Sequence, residues 1–278
     1  MRSHLKKNYH FHAHANSLGG FIDKPVPKHM PPQASSSLPG VGGHITTRTE
    51  AHNFEEIISC RCAYTRVSGR VAEEHGGSGS VLVTSVVEGL NILEVVTADR
   101  IVAQVSIHTV AGQPHQISFA GSRFEGLLIG AHDPGVEFNR RLLGYGPKPE
   151  DPRIVVTSPL FNETGREQAA KLVGSIKGKD QEPFQWLTDQ YRWMASGPDK
   201  GQERPVLCSL VDGLKNEIPA RSFGHVVEIP DFGRLYLGEF LFYGGVIDLS
   251  MIRAELGCNT SGGVSAASAS IGVHSIPP

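Results

Sequence analysis

Residues 234–255 read RLYLGEFLFYGGVIDLSMIRAE, two runs of bulky apolar residues joined at Gly244-Gly245. A Gly-Gly pair supplies the positive φ that a two-residue I′ or II′ turn requires, and such a turn fixes the register of the strands it joins. Phe242 then faces Ile247, Phe240 faces Leu249, Gly238 faces Met251, and Arg234 faces Glu255. One face is apolar near the turn, and the far end closes in an ion pair. Upstream, Pro230-Asp231-Phe232-Gly233 has turn chemistry, so Phe223 to Ile229 should pair with the same strand and complete a three-strand meander.

The β signal continues outward from this meander. Ser80 to Val87, Asn91 to Ala98 and Arg100 to Thr109 are dense in Val, Ile and Thr and are read as three neighbouring strands, parted at Gly89 and at Ala98-Asp99. Further strands are expected at Phe54 to Val67, His115 to Phe119, Phe124 to Ile129, Arg153 to Thr157, Pro205 to Val211 and Phe223 to Ile229. Helical spacing occurs at residues 183–196, where Phe184, Leu187, Tyr191 and Met194 form one stripe, and at Glu163 to Val173. The fold class expected is mainly β: an antiparallel sandwich or partly closed barrel with a small helical excursion at about 160–200 and flexible termini.

Composition divides the chain into three. Residues 1–44 carry Pro25, Pro27, Pro31, Pro32, a triple serine and several glycines, together with His4, His10, His12, His14, His29 and His44, and read as an extended basic arm. Residues 45–258 form the β-rich body. Residues 259–278 contain no Lys, Arg, Asp or Glu and are mostly Ser, Gly and Ala, which reads as an uncharged tail. Both ends are expected to contribute little to folding of the body and much to association.

With 26 basic and 28 acidic side chains, no excess of positive charge exists to neutralise phosphates, so nucleic acid is excluded as a first partner. No stretch reaches the roughly 18 apolar residues that a spanning helix needs. Four cysteines, Cys60, Cys62, Cys208 and Cys258, are too sparse for a disulfide scaffold, and a reduced, cytoplasmic setting is expected.

For chemistry, His10-Phe11-His12-Ala13-His14 places three imidazoles at alternate positions, which share one side of an extended strand. The H-x-H resembles the metal motif that ends the first strand of metal-dependent amidohydrolases, where further His and Asp ligands follow on later strands of a (β/α)₈ barrel. That resemblance implies a divalent metal at His10, His12 and His14 and a hydrolase that takes a carboxylate from the body. Cys60 and Cys62 can form half of a thiolate site or pack structurally. Gly76-Gly77-Ser78-Gly79-Ser80 lacks the Lys-Ser/Thr of a phosphate loop, and Gly40-Val41-Gly42-Gly43 lacks the flanking strand and helix of a dinucleotide fingerprint. Glu88, Glu94, Asp99, Glu239 and Asp248 interrupt apolar runs, with Arg100, Arg221 and Arg253 as available partners. The leading functional expectation is binding or assembly without catalysis and without a resident cofactor, through self-association or a protein partner. The metal-dependent hydrolase is the alternative.

Overall fold

The computed structural model describes residues 8–72, 78–110, 112–146, 148, 153–176, 182–195 and 204–276. In chain order the strands are β1 Asn8–Lys24, β2 Lys28–Gln33, β3 Ser36–Ser37, β4 Gly43–Thr49, β5 His52–Phe54, β6 Ile58–Cys60, β7 Cys62–Ala72, β8 Ser78–Ile92, β9 Val96–Val110, β10 Gln116–Ser118, β11 Arg123–Glu125, β12 Leu128–Ile129 and β13 Val136–Phe138. Two helices follow, α1 Ser158–Ile176 and α2 Gln185–Ala195, the second led in by a 3₁₀ turn at Glu182–Phe184. The chain then forms β14 Val206–Ser209, β15 Val211–Leu214, β16 Arg221–Phe223, β17 Val226–Ile229, β18 Gly233–Tyr243, β19 Val246–Gly257 and β20 Ser261–Ile276. Among the described residues no helix is long and apolar enough to cross a membrane.

All of these strands but β13 and β15, which pair with each other, form two large antiparallel sheets that are open at their edges, so the fold is a sandwich and not a closed barrel. The first sheet runs β16-β17-β18-β19-β20-β1-β2, with β14 beside the upper part of β18 and β3 beside β1. The second runs from β10, β11 and β12 through β9 and β8 to β7 and β6, with β4 and β5 at its far edge. The inner faces of β1 and β20 lie across β7, β8 and β9. Their core includes Phe11, Ala13, Ala15, Ala269, Ile271 and Val273 against Val67, Val83, Val87, Val105 and Ile107.

The meander forms in the expected register: Phe242 faces Ile247, Phe240 faces Leu249, and Arg234 faces Glu255 at an ion-pair distance of 3.6 Å. Both turn glycines have positive φ, 57° and 78°. Gly238 and Met251 stay opposite each other in the expected register, between Leu237↔Ile252 and Glu239↔Ser250, but the ladder steps over both. The same step recurs at Ala267 in β20 and at Ser17 in β1, so a crease crosses four adjacent strands. Gly238 and Ala267 sit there at φ of 61° and 53°. Crossing the crease swaps which parity of residues faces the core: Ile247 and Leu249 are buried above it, Ile252 and Ala254 below it.

A second crease corrects the reading of three strands between Ser80 and Thr109. Gly89 and Asp99 are stepped over within one pair of long strands, β8 and β9, which turn instead at Leu93 and Glu94 with φ of 52° and 57°. Asn91 holds that turn by accepting the Glu94 amide at 2.8 Å. Arg153 to Thr157 forms only a single bridge, Ile117 with Val156. The helix at 183–196 buries Phe184, Leu187, Tyr191 and Met194 as its stripe requires, and α1 is longer than its core pattern of Glu163 to Val173. Gly165 inside α1 lets the helix lie close to β14 and α2, since a Cβ there would meet Met194 Cε at 2.7 Å and Leu207 O at 2.8 Å.

The boundaries at 44 and 259 also need correction. Residues 8–24 and 261–276, assigned by composition to an arm and a tail, form β1 and β20, which pair from Asn8↔Ile276 to Lys24↔Ser261 in the middle of the first sheet. Composition understates both segments because many of their inward residues are small: Ala13, Ala15, Ala266, Ala267 and Ala269 are buried beside Phe11, Leu18, Ile271 and Val273, while Ser268 and Ser270 alternate with them. Small side chains let the sheets approach closely and carry little hydrophobicity of their own. A polar pin crosses the sandwich here, with Ser17 donating to Tyr64 O at 3.1 Å and Ser85 donating to Asn16 O at 2.9 Å. A chain ending at residue 258 should therefore lose cooperative thermal unfolding, and Phe11→Ala should cost about 3–5 kcal/mol in urea denaturation at unchanged m. Cooperative unfolding of the truncated chain would contradict this placement.

Candidate functional site

The helices wrap the β14 edge of the first sheet, and adjacent residues of β18 meet them on opposite faces. Phe240 turns inward to Phe161 of α1 and to Phe119, with ring centroids 5.1 and 5.0 Å away. Glu239 turns outward to α2, where it is buried at 6% exposure. Tyr191 donates to Glu239 Oε1 at 2.6 Å, His225 Nε2 lies 3.4 Å from the same oxygen, and Arg253 donates to Oε2 at 2.6 and 3.2 Å. Arg253 also reaches Glu255 at 2.6 Å and stacks over the Tyr236 ring at 3.6 Å. Burial alone would raise the Glu239 carboxyl; the hydrogen bond and charge of His225, the charge of Arg253 and the Tyr191 hydroxyl outweigh it and hold the group at about 2. Burial and the neighbouring carboxylate push Tyr191 far above the ordinary phenol range. Each Glu239 oxygen is thus already occupied by protein donors, and the cluster acts as a clamp between sheet and helix.

A second polar cluster is similarly self-satisfied. Asp212 accepts from Asn139 at 2.9 and 3.1 Å and from Gln168 at 3.1 Å, and Gln168 is matched to the Ser209 backbone at 2.8 and 2.9 Å. This anchors α1 to the turn between β14 and β15. The small recess beside it, about 240 Å³, is lined by that network.

A concavity of about 840 Å³ opens where α1, α2, β14 and the β18–β19 turn meet. Asn162 and Arg166 approach from one face of α1, Trp193 and Met194 from the last turn of α2, Arg204 and Val206 from the start of β14, and Phe242 and Tyr243 from the end of β18. Trp193 and Tyr243 remain 37% and 56% exposed at its rim. Among the described residues its lining contains two arginines and no carboxylate. A concavity of about 620 Å³ lies at the other end of the meander, where Arg221 and Arg234 face Glu228 and Glu255 at 3.8 and 3.6 Å.

The residues singled out in the sequence are distributed elsewhere. His10, His12 and His14 do share the outer face of β1, but separate neighbours engage them: His12 Nε2 contacts Ser270 Oγ at 3.0 Å, and a side chain at Gly40 would collide with the His10 ring. Among the described residues, no three His, Cys, Asp or Glu side chains are grouped to hold a metal ion. The antiparallel sandwich also lacks the alternating strands and helices of the amidohydrolase barrel. Cys60 and Cys62 are both buried and flank the bend between β6 and β7, and burial raises the Cys60 thiol. Glu88 lies 3.7 Å from both Arg61 and Arg100, Glu94 sits on the β8–β9 turn, and Asp99 and Asp248 are exposed. Gly76 and Gly77 lie outside the described residues, while Ser78 to Ser80 begin β8. Of the sequence candidates, Glu239 and Arg253 are brought together, as are Glu88 and Arg100. The cavity residues Asn162, Arg166, Trp193, Arg204 and Tyr243 escaped notice, although the four-residue spacing of Asn162 and Arg166 on a helix and the exposed parity of Tyr243 beside the Gly-Gly turn were available signals.

The Glu239 clamp makes stability depend on acid in one direction. A carboxyl held at about 2 in the fold and near 4.5 when unfolded stabilises the fold fully above 4.5, and that contribution is lost as pH falls from 4.5 to 2. Glu239→Gln should cost about 3 kcal/mol at neutral pH by leaving Arg253 incompletely paired. It should also flatten the fall of unfolding temperature across that window. A variant as acid-sensitive as the parent would show that the clamp is not formed.

Comparison with known proteins places this architecture in a family. No curated protein and no solved structure matches the chain. One family model, described as a domain of unknown function (DUF8256), matches residues 9–243, from the start of β1 to the end of β18. That span covers the second sheet, the first sheet as far as β18, both helices and most of the cavity, and the chain belongs to this family.

Proposed function

We propose that the protein binds a ligand without transforming it, and that the ligand seats in the 840 Å³ cavity between the helix pair and the β18–β19 turn. The observation that carries this reading is the cavity's construction: a volume within the range of small-molecule sites, apolar walls from Met194, Val206 and Phe242, and a few polar groups at its edge. The buried ionisable groups favour binding over catalysis, because Glu239, Arg253 and Tyr191 are matched to one another. The seat of binding shifts from the ends of the chain to this cavity, since β1 and β20 are each paired on both sides within the sheet.

Titration with phenylnaphthylamine, a neutral arene that fluoresces in apolar surroundings, tests the reading. Binding should saturate at one site per chain, and Asn162→Trp, which places a large ring in the cavity from an exposed helix position, should weaken it about tenfold or more without lowering the unfolding temperature. Absence of saturable binding, or unaltered binding to the variant, would refute the assignment.

A further inference from the structure

We infer that the chain associates with a second copy of itself by strand addition at β4, the two strands lying antiparallel about a two-fold axis at Thr47 and joining the second sheets of both copies into one. This edge shares no residue with the cavity, so neither reading depends on the other. An edge strand offers unpaired amides and carbonyls along its open side, and folds ordinarily blunt such edges by shortening them or placing proline there. Among the described residues, β4 pairs on one side alone, with β7. The other strands paired on a single side are blunted: β2 carries Pro31 and Pro32, and the rest run for four residues or fewer.

In contrast, β4 runs for seven residues, Gly43-His44-Ile45-Thr46-Thr47-Arg48-Thr49, without proline. Its ladder with β7 holds one register from Gly43↔Gly69 to Thr49↔Ala63, so no bulge turns the edge away, and isoleucine and threonine favour the extended backbone. The first sheet meets β4 through side chains: Ser36 donates to Thr47 Oγ1 at 2.9 Å and the Ala34 amide to Thr49 Oγ1 at 3.1 Å. Ile45, Thr47 and Thr49 point inward yet stay half-buried, so the margin of the core is unfinished at this edge.

Charge identifies the occupant. His44, Thr46, Arg48 and Glu50 are all exposed and alternate with the inward row. A two-fold axis normal to the sheet keeps outward residues opposite outward residues, which limits the registers to axes that pass through a residue. An axis at Thr46 sets His44 against Arg48, and one at Arg48 sets that guanidinium against its own copy; like charges directly opposite are unfavourable. An axis at Ile45 leaves Arg48 and Glu50 facing glycines, Gly42 and Gly40, and one at Thr49 centres on the last residue of the strand. The axis at Thr47 sets Thr46 opposite Arg48 and His44 opposite Glu50, twice by symmetry, with Ile45 against Thr49 on the inner side. The row is thus complementary to itself, which favours a second copy over an unrelated strand.

Sedimentation equilibrium of the full chain tests the proposal. A dimer is expected, and amide exchange within residues 43–49 should slow as protein concentration rises. His44→Glu opposes two pairs of carboxylates and should raise the dissociation constant about tenfold or more, while the double variant His44→Glu, Glu50→Lys should restore it. Both positions are exposed, so the fold is kept. A chain that remains monomeric at about 100 μM would overturn the proposal and leave the edge to a foreign strand. A dimer that His44→Glu leaves intact, or whose weakening Glu50→Lys fails to reverse, would overturn it equally by placing the contact elsewhere.

Discussion

The β1–β20 ladder is the constraint on which the rest of the structure depends. Residues separated by almost the whole described chain, Asn8 with Ile276 and Lys24 with Ser261, lie side by side in the centre of the first sheet. Without β20, the meander strand β19 ends in an open edge; without β1, the strands β2 and β3 have nothing to pair with. The inner faces of the same two strands form the floor on which β7, β8 and β9 pack, and the Ser17 and Ser85 hydrogen bonds fix one sheet against the other at that point. Contacts so distant in sequence form at a high loop-closure cost, which favours a slow, all-or-none assembly over independent folding of the body.

The crease through Ser17, Ala267, Met251 and Gly238 connects this framework to the helical layer. Above the crease the odd residues of β19, Ile247 and Leu249, point into the core; below it the odd residues Arg253 and Glu255 point out. An unbroken β19 would direct Arg253 into the apolar interior, and Glu239 would be buried beneath α2 with no guanidinium to balance it. The crease therefore makes the clamp possible, and the clamp holds α2 on the sheet. The helix pair in turn forms one wall of the cavity, so the cavity depends on a backbone irregularity four strands wide. Gly238 suits its place there, because a Cβ would press on Leu210 and Val211 at 3.3 Å and its φ of 61° resists larger residues.

Legibility in the sequence followed how local each signal was. The Gly244-Gly245 turn and the parity of its flanks gave the hairpin register, and the spacing of Phe184, Leu187, Tyr191 and Met194 gave the buried face of the helical segment. Gly89 is visible as a break but in sequence looks like the end of a strand, since a crease and a turn use the same residue to relieve the same steric demand. The first and last strands were hidden by composition: alternation in His-Phe-His-Ala-His is a strand pattern, yet the prolines, glycines and serines around it pointed to an arm. The cavity was the least visible feature, because its walls come from four stretches near 160, 193, 205 and 243 that only the tertiary fold brings together.

Amide hydrogen exchange resolved along the sequence is the most direct measurement of the central claim that the first and last strands hold the middle of the sandwich. Amides of residues 8–24 and 261–276 that bond across the β1–β20 ladder should exchange only through global unfolding, as slowly as those in the centre of β9. Exchange in these two segments as fast as in the loop at 112–115 would contradict the account, since it would place both strands outside the cooperative core.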